Sequence, residues 1–293
     1  MPASSREVVV RGAGTVLLVG AGRIGYLIAR RLVAQGIDLH VFDLERTAIE
    51  KCVAAGAVAA DYESVKSLDY GKVLLCLPDP AAVRSFIDLW LSMPSRRRTI
   101  IADLTTVAPS FARRASAELE AVCISYLDAP VSGGERGAES GALTVMVGGE
   151  VADYERVAPL LRHIGNRVRH VGPAGSGSLM KAINQYVYLS YNYVFAQGVR
   201  MVREAGLPED IGLEILQHGA AGHPLINDRI PTVFGSEFRN GFLLKRCLKD
   251  LEFLELENHC DSDTMAVYKL VRENIRRAVA EGKGDLDILA LMQ

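Results

Sequence analysis

The spacing of apolar and polar positions changes period near residue 175. Before that point, short runs rich in β-branched residues alternate with amphipathic stretches. Residues 15–19, 39–42, 73–77, 99–102 and 123–127 predict strands, residues 24–35 predict a helix, and helical material fills the other gaps. Strand and helix in alternation predict an α/β unit with a parallel, doubly wound sheet. Residues 143–147 and 167–171 are two more candidate strands that would extend it. After Gly172-Pro173-Ala174-Gly175 the pattern is helical almost to the end. One helix is expected from residue 176 to about 203, spanning about 40 Å at 1.5 Å per residue. Gly206-Leu207-Pro208 ends it, residues 209–218 begin the next, and two more are expected near 243–258 and 263–280. The chain therefore reads as two domains, residues 1–174 and an all-helical 175–293.

Composition narrows the class. The 293 residues carry 33 Lys and Arg against 35 Asp and Glu, a net charge of −2, with 49% hydrophobic residues. That balance fits a globular protein and offers no basic footprint for nucleic acid. Five scattered cysteines without C-x-x-C spacing suggest neither a disulfide framework nor a metal site, and read as small buried hydrophobes. The first fourteen residues lack the apolar core of a secretion signal. Residues 182–199 reach membrane-span length without a charge, but Asn184, Gln185, Ser190, Asn192, Gln197 and four tyrosines make a buried helix the better reading. The expectation is a soluble, cytoplasmic protein that binds no metal, membrane or nucleic acid.

Gly20-Ala21-Gly22-Arg23-Ile24-Gly25 is a G-x-G-x-x-G placed between a predicted strand and a predicted helix. Its glycines allow a tight turn and let a pyrophosphate approach the free N–H groups of the helix start. The pattern alone is weak in a chain with 27 glycines. Its strand–turn–helix context and Asp43, about 20 positions on, supply the specificity. A carboxylate at Asp43 suits the adenosine ribose hydroxyls and repels a 2′-phosphate, so NAD is expected, with NADP possible. Arg46 is either a compensating cation or a solvated residue at a helix start.

Two further groups carry candidate chemistry. Ser132-Gly133-Gly134, beyond the strand ending near Leu127, exposes backbone N–H groups that suit a carboxylate, or is an ordinary loop. Lys181, Asn184 and Gln185 occupy i, i+3 and i+4 and share one helix face. The lysine either extends to solvent or is held for acid/base work, where desolvation lowers a lysine's pKa toward neutrality.

Together, Gly20 to Gly25, Asp103-Leu104-Thr105-Thr106, Asp128 to Gly134, and Gly175-Ser176-Gly177 followed by Lys181 resemble the β-hydroxyacid dehydrogenase family. Gly148-Gly149, Gly241-Phe242, Lys249-Asp250 and Gly284-Asp285 continue the likeness over nearly the whole chain. The resemblance implies a Rossmann domain, like the NAD-binding domain of 6-phosphogluconate dehydrogenase, joined through a long helix to a helical domain, with the active site between them. It implies hydride exchange between a nicotinamide and a small β-hydroxyacid or its semialdehyde, of the 3-hydroxyisobutyrate or 2-hydroxy-3-oxopropionate type. By position, Lys181 would be the acid/base and Asn184 and Gln185 would orient substrate. Ser132, Gly133 and Gly134 would hold its carboxylate, while Leu77, Pro78, Thr106 and Lys249 would line the cofactor or substrate site. A homodimer or homotetramer is expected.

Departures from that family matter for substrate choice. Gln185 stands where many members have a second Asn, and Gln197-Gly198 replaces the usual Glu-Ala. Tyr186, Tyr188, Tyr191 and Tyr193 suggest core packing or a subunit interface. His223 takes the place of a small Ser or Thr; it is either a buried structural histidine or, with Arg229, a substrate-side departure. Phosphogluconate oxidation does not fit, because those relatives have a longer helical domain. An imine reductase on the same fold and a non-catalytic cofactor-binding scaffold are the alternatives, and Lys181 argues against both.

Overall fold

The computed structural model describes residues 14–68, 70–92, 99–223, 238, 241–254 and 260–292. The chain forms two compact units, Met1–Lys181 and Ala182–Gln293. The first is built from strands β1 (Val16–Val19), β2 (Leu39–Phe42), β3 (Val58–Ala59), β4 (Lys72–Leu75), β5 (Ile100–Asp103), β6 (Ser125–Asp128), β7 (Val131–Ser132), β8 (Thr144–Gly148) and β9 (Arg167–Gly172). Helices α1 (Arg23–Ala34), α2 (Arg46–Ala54), α3 (Tyr62–Ser67), α4 (Pro80–Leu91), α5 (Pro109–Glu120), α6 (Gly134–Ser140) and α7 (Val151–Leu161) lie between them.

The sheet order is β3-β2-β1-β4-β5-β6-β8-β7, with β9 paired to β8. Strands β1 to β6 pair in parallel, and β1 lies between β2 and β4, which creates the switch point where α/β sheets bind ligands. Both sheet faces are covered. Val16 and Leu18 enter one apolar cluster with Ile28, Leu32 and Val41, while Leu17 and Val19 enter the other with Phe86, Ile87 and Trp90. Alternate residues of a fully buried strand must do this, which is why β1 reads as an unbroken apolar run.

The sheet is mixed rather than wholly parallel. β8 runs antiparallel to β6 and to β7. The two late strands do extend the sheet as expected, but β6 and β7 run the same way, and the connection through α6 returns the chain beside them so that β8 pairs antiparallel to both. The predicted strand at 73–77 stops at Leu75, leaving Leu77 and Pro78 in the following loop.

Helix α8 (Ser176–Glu204) begins in the first unit and continues into the second. The second unit also holds α9 (Glu209–His218), α10 (Leu244–Glu252) and α11 (Ala266–Ala278), followed by a π-helical turn, Val279–Lys283. Both late helices are shorter than the apolar period suggested. Among the described residues, Phe195, Ala196, Val199, Leu213, Phe238, Leu289 and Ala290 form a buried cluster. Asp287, fully buried, accepts the N–H groups of Phe242 and Leu289 and ties their loops together. Tyr186 packs edge-on against Tyr268, and Tyr188 lies tilted against Phe242. The cysteines divide: Cys52 and Cys247 are buried, whereas Cys123 is exposed at a turn with φ +61°.

Candidate functional site

Parallel register brings five strand ends to one edge. Val19 lies opposite Phe42 and Leu75, Leu75 opposite Asp103, and Asp103 opposite Asp128. The loops leaving that edge carry Gly20 to Gly25, Asp43, Leu77 and Pro78, Thr106, and the segment running to Ser132, Gly133 and Gly134.

The glycines of the first loop have different reasons to be glycine. Gly20 has φ +96°, and a Cβ there would lie 2.3 Å from the carbonyl oxygen of Cys76. A Cβ on Gly25 would lie 2.1 Å from the Gly20 oxygen, so this residue closes the turn against the start of α1. A Cβ on Gly22 meets nothing within 4 Å. Its lack of a side chain serves no contact of the protein itself and leaves space before the helix. No side chain caps the N-terminus of α1. Open space and uncapped N–H groups at a helix start fit a dinucleotide pyrophosphate.

Asp43 is already engaged: it accepts the N–H of Ala21 at 2.6 Å and of Glu45 at 2.8 Å. It braces the glycine turn. Arg46 pairs with Glu50 one turn along α2 and is 90% exposed, the solvated helix-start residue. Arg23 is paired with Glu135 of α6, and Ile24 is half-buried against the sheet cluster. Desolvation pushes the Cys76 thiol up to about 12, with Asp103 adding to it, which disfavours the nucleophilic thiolate.

Two buried carboxylates organise the remaining loops. Asp103 accepts the N–H of Thr105 at 2.9 Å and the Tyr126 hydroxyl at 2.7 Å, and the Thr105 hydroxyl accepts the N–H of Leu77 at 3.0 Å. Burial raises Asp103 to about 6 despite those bonds. Asp128 accepts the N–H groups of Gly175 and Ser178 at the start of α8, and burial raises its pKa too. Ser132 ends β7, while Gly133 and Gly134 have φ +131° and +60°. Sequence reasoning quoted Asp103 and Asp128 within motifs but gave them no role; the available signal was an acidic residue directly ending an apolar strand.

On α8, Lys181 is buried, at 6% exposure, and so does not extend to solvent. Asn184 and Gln185 follow on the same face, and Gln185 donates to Asp250 at 2.7 Å. Lys249 lies 3.8 Å from Asp250 and over the Phe253 ring. His223 is exposed, not a buried structural histidine; its ring lies 4.8 Å from that of Tyr191. Arg229 lies outside the described residues.

A glycine turn at the switch point among parallel strands, braced by the acidic residue that follows β2, defines a Rossmann-type dinucleotide-binding protein. The comparisons refine that class. A family model described as the NAD binding domain of 6-phosphogluconate dehydrogenase matches residues 15–172, and one described as NAD-binding of NADP-dependent 3-hydroxyisobutyrate dehydrogenase matches 175–293. The chain is 28% identical to an NAD-dependent L-serine dehydrogenase of Pseudomonas aeruginosa, over 93% of this chain and 94% of the relative. It is 28% identical to the mitochondrial 3-hydroxyisobutyrate dehydrogenase of Drosophila melanogaster, over 94% and 87%. A solved 3-hydroxyisobutyrate dehydrogenase structure from Salmonella typhimurium superposes with TM-score 0.81 at 25% identity, covering 95% of this chain and 98% of that one. The chain belongs to the β-hydroxyacid dehydrogenase family, and is an NAD(P)-dependent oxidoreductase acting on the CH–OH group of hydroxyacids.

Proposed function

We propose that the substrate is a short acid with its hydroxyl on the carbon β to the carboxylate, that NAD is the preferred cofactor, and that Lys181 is the acid/base. The observation carrying this reading is a lysine buried on α8 one turn before two amides, Asn184 and Gln185. L-Serine and 3-hydroxyisobutyrate, named in two relatives, share that β-hydroxyacid skeleton. Asp43, with Arg46 paired to Glu50, supports NAD over NADP.

The bound nicotinamide supplies the hydride acceptor in oxidation and the donor in reduction. Gly20, Gly22, Arg23, Ile24 and Gly25 would seat the pyrophosphate, Asp43 the ribose, and Leu77, Pro78, Thr106 and Lys249 would line the remaining cofactor surface. Ser132, Gly133 and Gly134 would hold the carboxylate through hydroxyl and N–H groups, with His223 at the substrate side. In oxidation, Lys181 as a neutral amine takes the hydroxyl proton; in reduction, its ammonium steadies the developing alkoxide and returns the proton. Asn184 and Gln185 orient the reacting carbon, and such positioning accounts for a large share of rate.

We also assign the boundary between the cofactor-binding and helical domains to the segment just before α8, at residue 175. For assembly we infer a homodimer or homotetramer. Val187, Val194 and Met201 recur every seven residues along α8 at 60%, 61% and 67% exposure, and Ile211 and Ile215 of α9 are exposed too. That period is the one at which a second copy of the helix keeps contact along its length. Among the described residues no helix is long and apolar enough to cross a membrane. We assign the enzyme to the cytoplasm, a compartment that holds both NAD and small hydroxyacids.

The test is NADH formation with 3-hydroxyisobutyrate, glycerate, serine and threonate, with NADP⁺ and Lys181→Ala in parallel. Turnover of one acid, weaker with NADP⁺ and reduced by on the order of a thousandfold in the variant, is expected. Near-wild-type turnover by the variant would overturn the role of Lys181. Silence across the panel despite NAD binding would overturn the substrate class and turn attention to imines or a non-catalytic role.

A further inference from the structure

Gln185 and Asp250 stand 65 residues apart in the chain and are both buried, at 6% and 5% exposure. The Gln185 Nε2 donates to Asp250 Oδ2 at 2.7 Å. A primary amide has a donor end and an acceptor end, so this bond fixes which way round the group lies. With Nε2 on the carboxylate, Oε1 faces Asn184, whose Nδ2 donates to it at 3.4 Å. The three side chains form a directed series in which each amide turns its NH₂ toward the carboxylate end. A buried carboxylate is costly unless bonded or paired; here Gln185 and the Lys249 ammonium, 3.8 Å from Oδ1, meet that need.

We propose that Asp250 is a positioning residue that sets the orientation of Gln185 and, through it, of Asn184, so that the two amides meet the substrate with one fixed pattern of donor and acceptor. This rests on the proposed substrate-orienting role of those amides. The series also gives a physical reason for glutamine at 185. An asparagine would be one methylene shorter, about 1.5 Å, and would lose the reach to Asp250. The residue that many family members carry here is therefore the wrong length for this protein.

The experiment compares Gln185→Asn, Asp250→Asn, Asp250→Ala and the double variant Gln185→Asn/Asp250→Ala in the full chain. Readouts are kcat and KM for the acid turned over, NAD binding by tryptophan fluorescence, and the unfolding midpoint. Losing a buried hydrogen bond to a charged group predicts a rise in KM of on the order of tenfold or more for Gln185→Asn and for Asp250→Ala, with a smaller change in kcat. Asp250→Asn keeps an acceptor for Nε2, so its KM stays within about threefold of wild type. The double variant is no worse than the worse single one, because both remove the same bond. Wild-type KM in Gln185→Asn, or multiplied defects in the double variant, overturns the proposal. Should Asp250→Ala fail to fold, Gln185→Asn and Asp250→Asn carry the comparison alone. Asn184→Ala separates the two levels: unchanged KM there removes the substrate role of the amides, whereas a raised KM beside a silent Gln185→Asn removes only the positioning by Asp250.

Discussion

Asp128 accepts the backbone N–H of Ser178 at 2.6 Å, fixing the first turn of the helix on which Lys181 sits three residues further on. Its other oxygen accepts the N–H of Gly175 at 2.8 Å. A strand-end carboxylate thus caps a helix that begins nearly fifty residues later, and its charge is favoured by the helix dipole. Two glycines make the approach possible. A Cβ on Gly148 would lie 2.5 Å from Asp128 Oδ1, and one on Gly177 would lie 2.4 Å from the Asp128 carbonyl oxygen.

Replacing Asp128 by alanine leaves both N–H groups buried and unpaired, at about 1–3 kcal/mol each. The expected result is a fall of several kcal/mol in unfolding free energy, read as a lower urea midpoint. Asp128→Asn keeps one acceptor, turns its NH₂ against the other N–H, and should fall in between. An unchanged midpoint in Asp128→Ala would contradict the capping role.

Asp103 predicts a pH dependence with a definite sign. Burial raises its pKa to about 6, with the neighbouring Asp128 adding to the rise, while hydrogen bonds from Thr105 and Tyr126 pull the other way; the half-buried Cys76 also faces it. A raised carboxylate pKa means that the folded state binds the proton more tightly than the unfolded chain. The stability contributed by the protonated form is complete below the unfolded pKa, near 4, and is lost as pH rises through about 6. Asp103→Asn carries no charge at any pH and can keep an acceptor for Thr105. It should therefore gain stability relative to wild type at pH 7, on the order of 1–3 kcal/mol, with the gain shrinking toward pH 4. Paired unfolding curves at the two pH values check this; a difference that does not vary with pH would refute it.

The sequence made the cofactor half legible because its chemistry is local. Gly20 to Gly25, the apolar run before them and Asp43 all fall within one strand–turn–helix–strand segment, where spacing and periodicity carry the information. The antiparallel return of β8 was not legible, since an apolar run has the same pattern in either direction. Nor were the roles of Asp103, Asp128 and Asp250. Each acts on a backbone or side-chain group that the fold brings near, and only the pairing of β5 with β6, the approach of the start of α8 to the end of β6, or the contact of α8 with α10 makes the partner visible. The exposure of His223 and the burial of Lys181 were open for the same reason: a single helix face does not say what covers it.

The glycines of the phosphate turn should separate stability from binding. Gly25→Ala puts a Cβ 2.1 Å from the Gly20 oxygen, a backbone clash that no rotamer relieves, so the variant should unfold at a markedly lower temperature or not fold. Gly22→Ala has nothing within 4 Å to strike and φ −65°, which alanine adopts without strain. Its melting temperature without cofactor should match wild type, while the added methyl occupies the space in front of the helix. NAD affinity should fall by on the order of tenfold or more, with a matching loss of NAD-induced thermal stabilisation. Wild-type NAD affinity in Gly22→Ala would move the pyrophosphate elsewhere.

Asp43 should govern cofactor choice and turn rigidity at once. Its two oxygens hold the N–H groups of Ala21 and Glu45, and each carboxylate oxygen retains a further lone pair for a ribose hydroxyl. Against a 2′-phosphate the same group is repulsive. Asp43→Asn removes the repulsion but must turn its NH₂ toward one of the two backbone donors. The kcat/KM for NAD should therefore fall, and the ratio of NAD to NADP efficiency should drop by on the order of tenfold or more. Arg46 is held by Glu50 at 2.9 Å, so adding Glu50→Gln should loosen it toward a 2′-phosphate and raise NADP efficiency further. Steady-state kinetics with both cofactors in the single and double variants measure each step. An unchanged ratio in Asp43→Asn would mean that another residue makes the discrimination, and that this carboxylate serves only to brace the glycine turn.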